Sequence, residues 1–259
     1  MIMPIARNST NQFYDAVADR YHLFYRDWAA TIEREGATLR RLFKDRDVKR
    51  VLDASCGTGT QAIALARLGY DVTATDPSQN MLLKAQEYAQ EYGVARNMTI
   101  RRAGFLELPQ IVAGPFDAVI TKGNALPHLL TDEDLAAALH NFHYLLRPGG
   151  MVVIGIRNIE LMLEDRPRFV PRHVHVHDET HEENILFDVW DWDDGPPVTV
   201  TFNTFIVSGK GSDYTASKYS VTYRALTRAE LEGALTQAGF DEIAVSEDRW
   251  ELVITARKA

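Results

Sequence analysis

The stretch VLDASCGTGTQAIALARLG, from Val51 to Gly69, limits what this chain can fold into more than any other. An apolar run, a turn carrying two glycines and an amphipathic helix follow one another with no linker between them. That order predicts a buried strand feeding a helix across a tight turn, the first half of a βαβ unit. The rhythm then repeats. YDVTATD predicts a strand, QNMLLKAQEYAQEYG a helix stopped at Gly93, and NMTIRRA and FDAVITK two further strands. TDEDLAAALHNFHYLLRPGG predicts a helix capped by Thr131 and stopped by Pro-Gly-Gly, and the wholly apolar MVVIGI is a central strand. Strands alternating with helices give a parallel sheet with right-handed crossovers.

The alternation breaks between Asn158 and Tyr223. ILFDVWDW, VTVTFNTFIV and KYSVTY are strand-like, and DDGPP and GKGSD between them are turn chemistry, so this region predicts an antiparallel meander. A helix follows over TRAELEGALTQAGF, with a Thr227/Glu230 capping box and Gly239 as its stop, and then two last strands, IAVSED and WELVITA. The expectation is an α/β fold: a Rossmann-like sheet of seven strands with helices on both faces, and the meander inserted before the last helix. Three parts result. Residues 1–45 form an N-terminal helical arm, 46–157 with 224–259 the α/β domain, and 158–223 the inserted β subdomain. In the arm, Phe13, Val17, Tyr21 and Phe24 make one helical stripe and Tyr14, Ala18, Tyr21 and Tyr25 another, both expected in the core.

Charge and composition exclude several classes. A formal net charge of −8 with scattered Lys and Arg argues against a nucleic-acid partner. The single cysteine, Cys56, excludes an internal disulfide and suits a reducing compartment. MIMPIARNSTNQ has no apolar segment of the kind a secretory signal needs, and no apolar run nears the ~20 residues that span a bilayer. The expectation is a soluble, cytoplasmic protein acting on a small molecule, with no membrane partner.

A glycine turn between strand and helix lets the backbone approach a ligand at the switch point of such a sheet. Here Asp53 precedes the turn, Gly57 and Gly59 form it, and Asp76 ends the next strand, where a carboxylate can hold the vicinal hydroxyls of a ribose. A dinucleotide prefers a third glycine where Ala62 stands, and Asp53 would sit beside its phosphate. S-adenosylmethionine brings an ammonium for Asp53, a ribose for Asp76 and no phosphate. The plain structural alternative is that Asp53 caps the turn and Asp76 starts the next helix.

VLDASCGTG, VTATDPSQNML, FDAVITKGNALPHL and LRPGGMVVIGIRN together resemble the class I S-adenosylmethionine-dependent methyltransferases. GNALPHL and the Arg-Asn after the fifth strand resemble more narrowly the glycine and glycine/sarcosine N-methyltransferases, a likeness running from VADRY to SKYSVTY. The resemblance implies that Asp76 holds the ribose and that Ser55, Gly57 and Gly59 seat the methionine part. It implies too that Met81 and Phe105 flank adenine, that Lys122 and Gly123 pass the methionine moiety, and that Tyr21 folds over the site. Gly104 departs from the pattern, since this place often holds an Asp or Asn bonding the adenine amine. Its loss should cost about one hydrogen bond, ~1 kcal/mol, unless water or backbone substitutes. The resemblance also admits a homo-oligomer that exchanges arm and meander between subunits, with no residue here deciding it.

Arg157 carries the substrate argument. It ends an apolar strand at the ligand-facing edge of the sheet, where a guanidinium needs an acceptor and its planar fork matches a carboxylate. A salt bridge to Glu160 or Asp165 is the alternative. In the resembled family the equivalent arginine holds the substrate's carboxylate, and Asn124, His128 and Tyr223 match pocket positions. His128 is the candidate acceptor for the proton of the attacking amine. The family continues Arg-Asn-Tyr-Asp where this chain has RNIE, so Ile159 removes a tyrosine and leaves the pocket wider or drier. RHVHVHDETH sets His173, His175 and His177 on one strand face. They are read as pocket wall or edge strand, with substrate contact by His175 or a metal site as alternatives, and no metal is expected. The expected activity is methyl transfer from S-adenosylmethionine to the amine of glycine, sarcosine or a similar carboxylated molecule. The rivals are N- or O-methylation of a larger metabolite, an NAD-dependent oxidoreductase, and a cofactor-binding regulator.

Overall fold

The computed structural model describes residues 8–247 and 249–259. Helix α1 (Asn8–Val17) runs into a 3-10 segment (Ala18–Phe24) and helix α2 (Trp28–Leu42). There follow β1 (Arg50–Asp53), α3 (Thr60–Arg67), β2 (Asp71–Asp76), α4 (Gln79–Glu91), β3 (Met98–Arg102), α5 (Leu108–Ile111), β4 (Phe116–Thr121), α6 (Asp132–Leu145) and β5 (Leu146–Arg157). A short helix α7 (Glu160–Leu163) leads into β6 (Phe169–Val176), β7 (Glu183–Asp193), β8 (Thr199–Lys210) and β9 (Asp213–Arg224). The chain closes with α8 (Arg228–Gln237), β10 (Phe240–Glu247) and β11 (Glu251–Lys258).

The main sheet has the order β3-β2-β1-β4-β5-β11-β10. Strands β1 to β5 pair in parallel, and β11 is antiparallel to both neighbours. The apolar runs read from the sequence are its central strands, buried because helices cover both faces. One face packs Leu135, Leu139 and Phe142 of α6 and Leu231 and Leu235 of α8 against Leu52, Val119, Val152 and Ile154. The other packs Ile32 and Leu39 of α2, Ile63 and Leu65 of α3 and Leu82 of α4 against Val51, Ala118, Ile120 and Val153. Caps define the helix starts: Thr131 Oγ1 accepts from the Asp134 amide at 3.1 Å, and the Thr227/Glu230 capping box forms as expected.

The region after β5 is a four-stranded antiparallel sheet in the order β6-β7-β8-β9. Its inner face presents Leu186, Trp190, Phe202, Ile206 and Val221 to Phe13 and Val17 of α1, making a third apolar cluster between arm and inserted sheet. Trp190 stacks on Phe202 at 4.0 Å between centroids. Details depart from the reading of the sequence. The arm helix tightens to 3-10 after Val17, Pro-Gly-Gly lies within β5 with Gly149 at φ 71°, and the histidine stretch supplies a fourth meander strand. That strand is irregular: Pro171 pairs with Phe187 but His173 with Leu186, so Arg172 is the extra residue of a β-bulge.

Among the described residues no helix is long and apolar enough to cross a membrane. Two neighbours on α6 test the packing. Phe142 is fully buried while Tyr144 is 72% exposed. Phe142→Ala should lower the unfolding free energy by about 3–5 kcal/mol in urea titration, whereas Tyr144→Ala should change it by no more than about 0.5 kcal/mol. Equal effects would contradict this core.

Candidate active site

Two cavities open along the carboxyl ends of the parallel strands and meet at Tyr14, Tyr21 and Gly123. The first, about 230 Å³, lies over the glycine turn, and its wall includes Ser55, Gly57, Asp76, Phe105, Glu107 and His128. The turn needs left-handed backbone at Gly57 (φ 53°) and Gly59 (φ 96°). Tyr21 of the arm lies over this turn, at ordinary contact distance (3.9 Å) from where a Cβ on Gly57 would stand. Asp76 ties strand to turn by accepting the Gly57 amide at 3.0 Å and the Ser78 amide at 2.9 Å. Asp53, at the end of β1, accepts weakly from the Ser55 amide at 3.4 Å, and its Oδ2 is buried with no hydrogen-bond partner.

The second cavity, about 250 Å³, lies between the arm, the end of β5 and the inner face of the inserted sheet. Its walls are rich in rings, Phe13, Tyr14, Tyr21, Phe24, Tyr25, Phe202, Tyr223 and Trp250, interrupted by Asn124, Arg157, Arg172 and Thr204. Arg157 makes no ion pair among the described residues, and its Nε is buried without an acceptor. Its guanidinium lies 5.5 Å from the Trp190 ring centroid and 5.3 Å from that of Phe202. Burial, then the nearby Arg172, pull its pKa down to about 10, so it remains charged at neutral pH. Asn124, itself at φ 67°, accepts the Arg157 amide at 2.9 Å and so fixes the backbone from which the side chain leaves. Tyr14 Oη lies 2.7 Å from His128 Nε2, and His128 Nδ1 lies 3.3 Å from the Thr222 carbonyl. A carbonyl only accepts, so the proton belongs on Nδ1 and Tyr14 donates to Nε2.

Residues 51–150 match the family described as a methyltransferase domain. A glycine/sarcosine N-methyltransferase of Parasynechococcus marenigrum (strain WH8102) is 36% identical over 140 residues, 53% of this chain and 48% of the relative. Human glycine N-methyltransferase is 32% identical over 170 residues, 61% of this chain and 58% of the relative. The chain thus spans about half the length of the relatives it matches. The crystal structure of Streptomyces venezuelae DesVI superposes with a TM-score of 0.75 at 20% identity, covering 94% of this chain and 98% of that one. The fold is that of the class I S-adenosylmethionine-dependent methyltransferases. The first cavity suits that cofactor, with Asp76 setting a carboxylate and Phe105 an aromatic ring on its wall, whereas Asp53, expected to touch the cofactor, lies behind that wall with its Oδ2 buried and without a partner.

Against this methyltransferase fold the expected residues sort clearly. Ser55, Gly57, Asp76, Phe105, Lys122, Gly123, Tyr21 and His128 line the first cavity, while Asn124, Arg157 and Tyr223 join Tyr21 and Gly123 around the second. Gly59 lies behind the wall, where a Cβ would press on Ile63 at 3.1 Å. Lys122 turns its ammonium away, to Glu35 at 2.7 Å and Glu251 at 3.3 Å. Two further expectations are corrected. Met81 lines neither cavity, because it is fully buried beneath α1. His175 lines neither as well: His173 and His175 both point Nε2 at the Leu23 carbonyl, at 2.7 and 3.0 Å, and hold the arm. Among the described residues no three His, Cys, Asp or Glu side chains converge to hold a metal ion. The alternative partner Glu160 instead accepts the Arg228 amide at 2.8 Å.

Sequence reasoning missed Tyr14, assigned to the core but on the wall of both cavities, and Arg172, which pairs with buried Asp188 at 2.8 Å. Tyr14 was readable as sharing a helical face with Tyr21; Arg172 was not, because a bulge breaks strand alternation.

The two buried acids carry a pH signature. Burial is the main cause that raises Asp53 to about 7 and Asp76 to about 6. Folded Asp53 thus keeps a proton that the unfolded chain releases near pH ~3.9. Stability from this source is full below that pH and is lost as pH rises through about 7. Asp53→Asn removes the titration, so its melting temperature should gain on the unmodified protein from about pH 4 to about pH 7 and hold level above that. A pH-independent gap would show that Asp53 is ionised throughout.

Proposed function

We propose that this chain transfers a methyl group from S-adenosylmethionine to the amine of a small carboxylate-bearing substrate, glycine or sarcosine being the simplest. The observation that carries the reading is Arg157: a buried guanidinium with no ion-pair partner among the described residues, in a cavity that shares Tyr14, Tyr21 and Gly123 with the cofactor cavity. A buried unpaired charge is costly, and a bidentate carboxylate is the ligand that best offsets it. Local charge agrees, because Asp188 already pairs with Arg172, leaving one positive charge for one anion. Relatives named glycine/sarcosine N-methyltransferase support the amine as acceptor.

The cofactor supplies a methyl group already activated on a sulfonium, so the protein contributes mainly position and electrostatics. Arg157 clamps the carboxylate at one end of the acceptor cavity. Asn124 and the Trp190 and Phe202 rings keep that guanidinium aimed. The amine then falls toward the shared wall, where Tyr14 Oη, its hydrogen held in the hydrogen bond it donates to His128, turns lone pairs to the cavity and orients an amine N–H. Burial lowers His128 to about 4, so it holds Tyr14 instead of storing the substrate's proton, which leaves to water. The buried rings exclude water from the transfer line.

Cavity size favours a second reading. At about 30 Å³ for each water-sized group in a liquid, a space of about 250 Å³ holds more than glycine. A larger carboxylated amine would use the Phe24, Tyr25 and Trp250 side as well.

Purified protein incubated with S-adenosylmethionine and a mixture of amino acids and small amines should yield a species one methyl heavier, seen by mass spectrometry. Arg157→Leu should lower kcat/KM for that carboxylated acceptor by about 10²-fold or more, in line with the few kcal/mol of a lost charge-assisted pair. Undiminished activity in Arg157→Leu, or an acceptor without a carboxylate, would sink the reading.

A further inference from the structure

Gly104 stands where an acceptor for the adenine amine is expected, and the structure offers a replacement three residues on. Glu107 folds back over Gly104: its Oε2 accepts the Gly104 amide at 3.1 Å. A Cβ built on Gly104 would lie 2.9 Å from that same oxygen. A side chain at 104 would therefore push the carboxylate of Glu107 from its present place, which the glycine leaves open. Among the described residues the other oxygen of Glu107 receives no hydrogen bond. Glu107 lines the cofactor cavity together with Pro77, Phe105, Leu106 and Leu129, the apolar surroundings a flat purine needs.

We infer that Glu107 is the adenine-binding acceptor of this chain, taking the exocyclic amine with its free oxygen while the other is pinned to the Gly104 amide. The inference rests on the cofactor assignment above but not on the identity of the methyl acceptor. The anchored carboxylate makes the site selective for a 6-amino purine. A 6-oxo purine would turn a carbonyl toward the carboxylate and be repelled, since neither group can donate. Because Glu107 is exposed at the cavity rim, the gain is that of one hydrogen bond at a wet edge.

The test is calorimetric titration of the full chain with S-adenosylhomocysteine and with S-inosylhomocysteine, which differ only in the 6-substituent and in the N1 hydrogen that accompanies the oxo form. The unmodified protein should prefer the adenosyl ligand by about tenfold or more. Glu107→Ala should cut that preference roughly three- to tenfold, the span of one lost hydrogen bond, and Glu107→Gln, which keeps an acceptor oxygen, should cut it less. Adding Gly104→Asp to Glu107→Ala should restore the preference by returning a carboxylate to the vacated place. If Glu107→Ala weakens both ligands equally, or neither, Glu107 is only a turn cap and the inference falls. If the unmodified protein binds neither ligand, the cofactor assignment falls with it.

Discussion

A guanidinium taken out of water needs an anion or a compensating environment, and Arg157 has only part of one. Two stacked rings lie beneath it, a second arginine stands nearby, and the carboxylate of Asp188 is already paired with that arginine. Much of the inserted sheet can be understood as the means of keeping that charge in place. Asp188 is itself held by Arg172, by Trp190 Nε1 and by Thr204 Oγ1, so the strands under the charge are cross-braced by polar contacts as well as by the Trp190–Phe202 stack. Asn124 adds the brace from the parallel sheet. Its strained left-handed backbone is tolerable because Asn is among the residues that enter that region most readily.

The α/β part was legible because its signals are local. Apolar runs, a glycine turn and capping residues each act over a few neighbours, and together they leave one consistent reading, as seen in β1, α3 and α8. Residues at strand ends, such as Asp76 and Arg157, inherit their positions from that scaffold. What escaped depends on contacts distant in sequence. Met81 sits in the first turn of α4, four residues after Pro77, which does line the cavity, yet α1 packs over it and closes it off. Tyr14 looked like one more ring of an apolar stripe, and only the partner His128, 114 residues away, turns its hydroxyl into part of a site. The alternation that puts three histidines on one face is real over a regular strand, but one inserted residue at Arg172 decides which faces meet the arm and which the cavity.

The polar core between α2 and the sheet follows a similar logic. Lys122 is buried between Glu35 and Glu251, and it reaches them because Gly155 on the adjacent strand has no side chain; a Cβ there would sit 2.9 Å from Lys122 Cε. A residue that borders the cofactor cavity thus spends its charge on two carboxylates, one from α2 and one from β11, and ties those elements to the end of β4.

The shared carbonyl of Leu23 has a mechanical meaning. Two ring nitrogens from β6 grip one peptide unit of the arm, and Arg172 lies 5.0 Å from the ring centroid of the neighbouring Phe24. Arm and inserted sheet therefore behave as the two halves of a closed clasp, and opening it means breaking several contacts together.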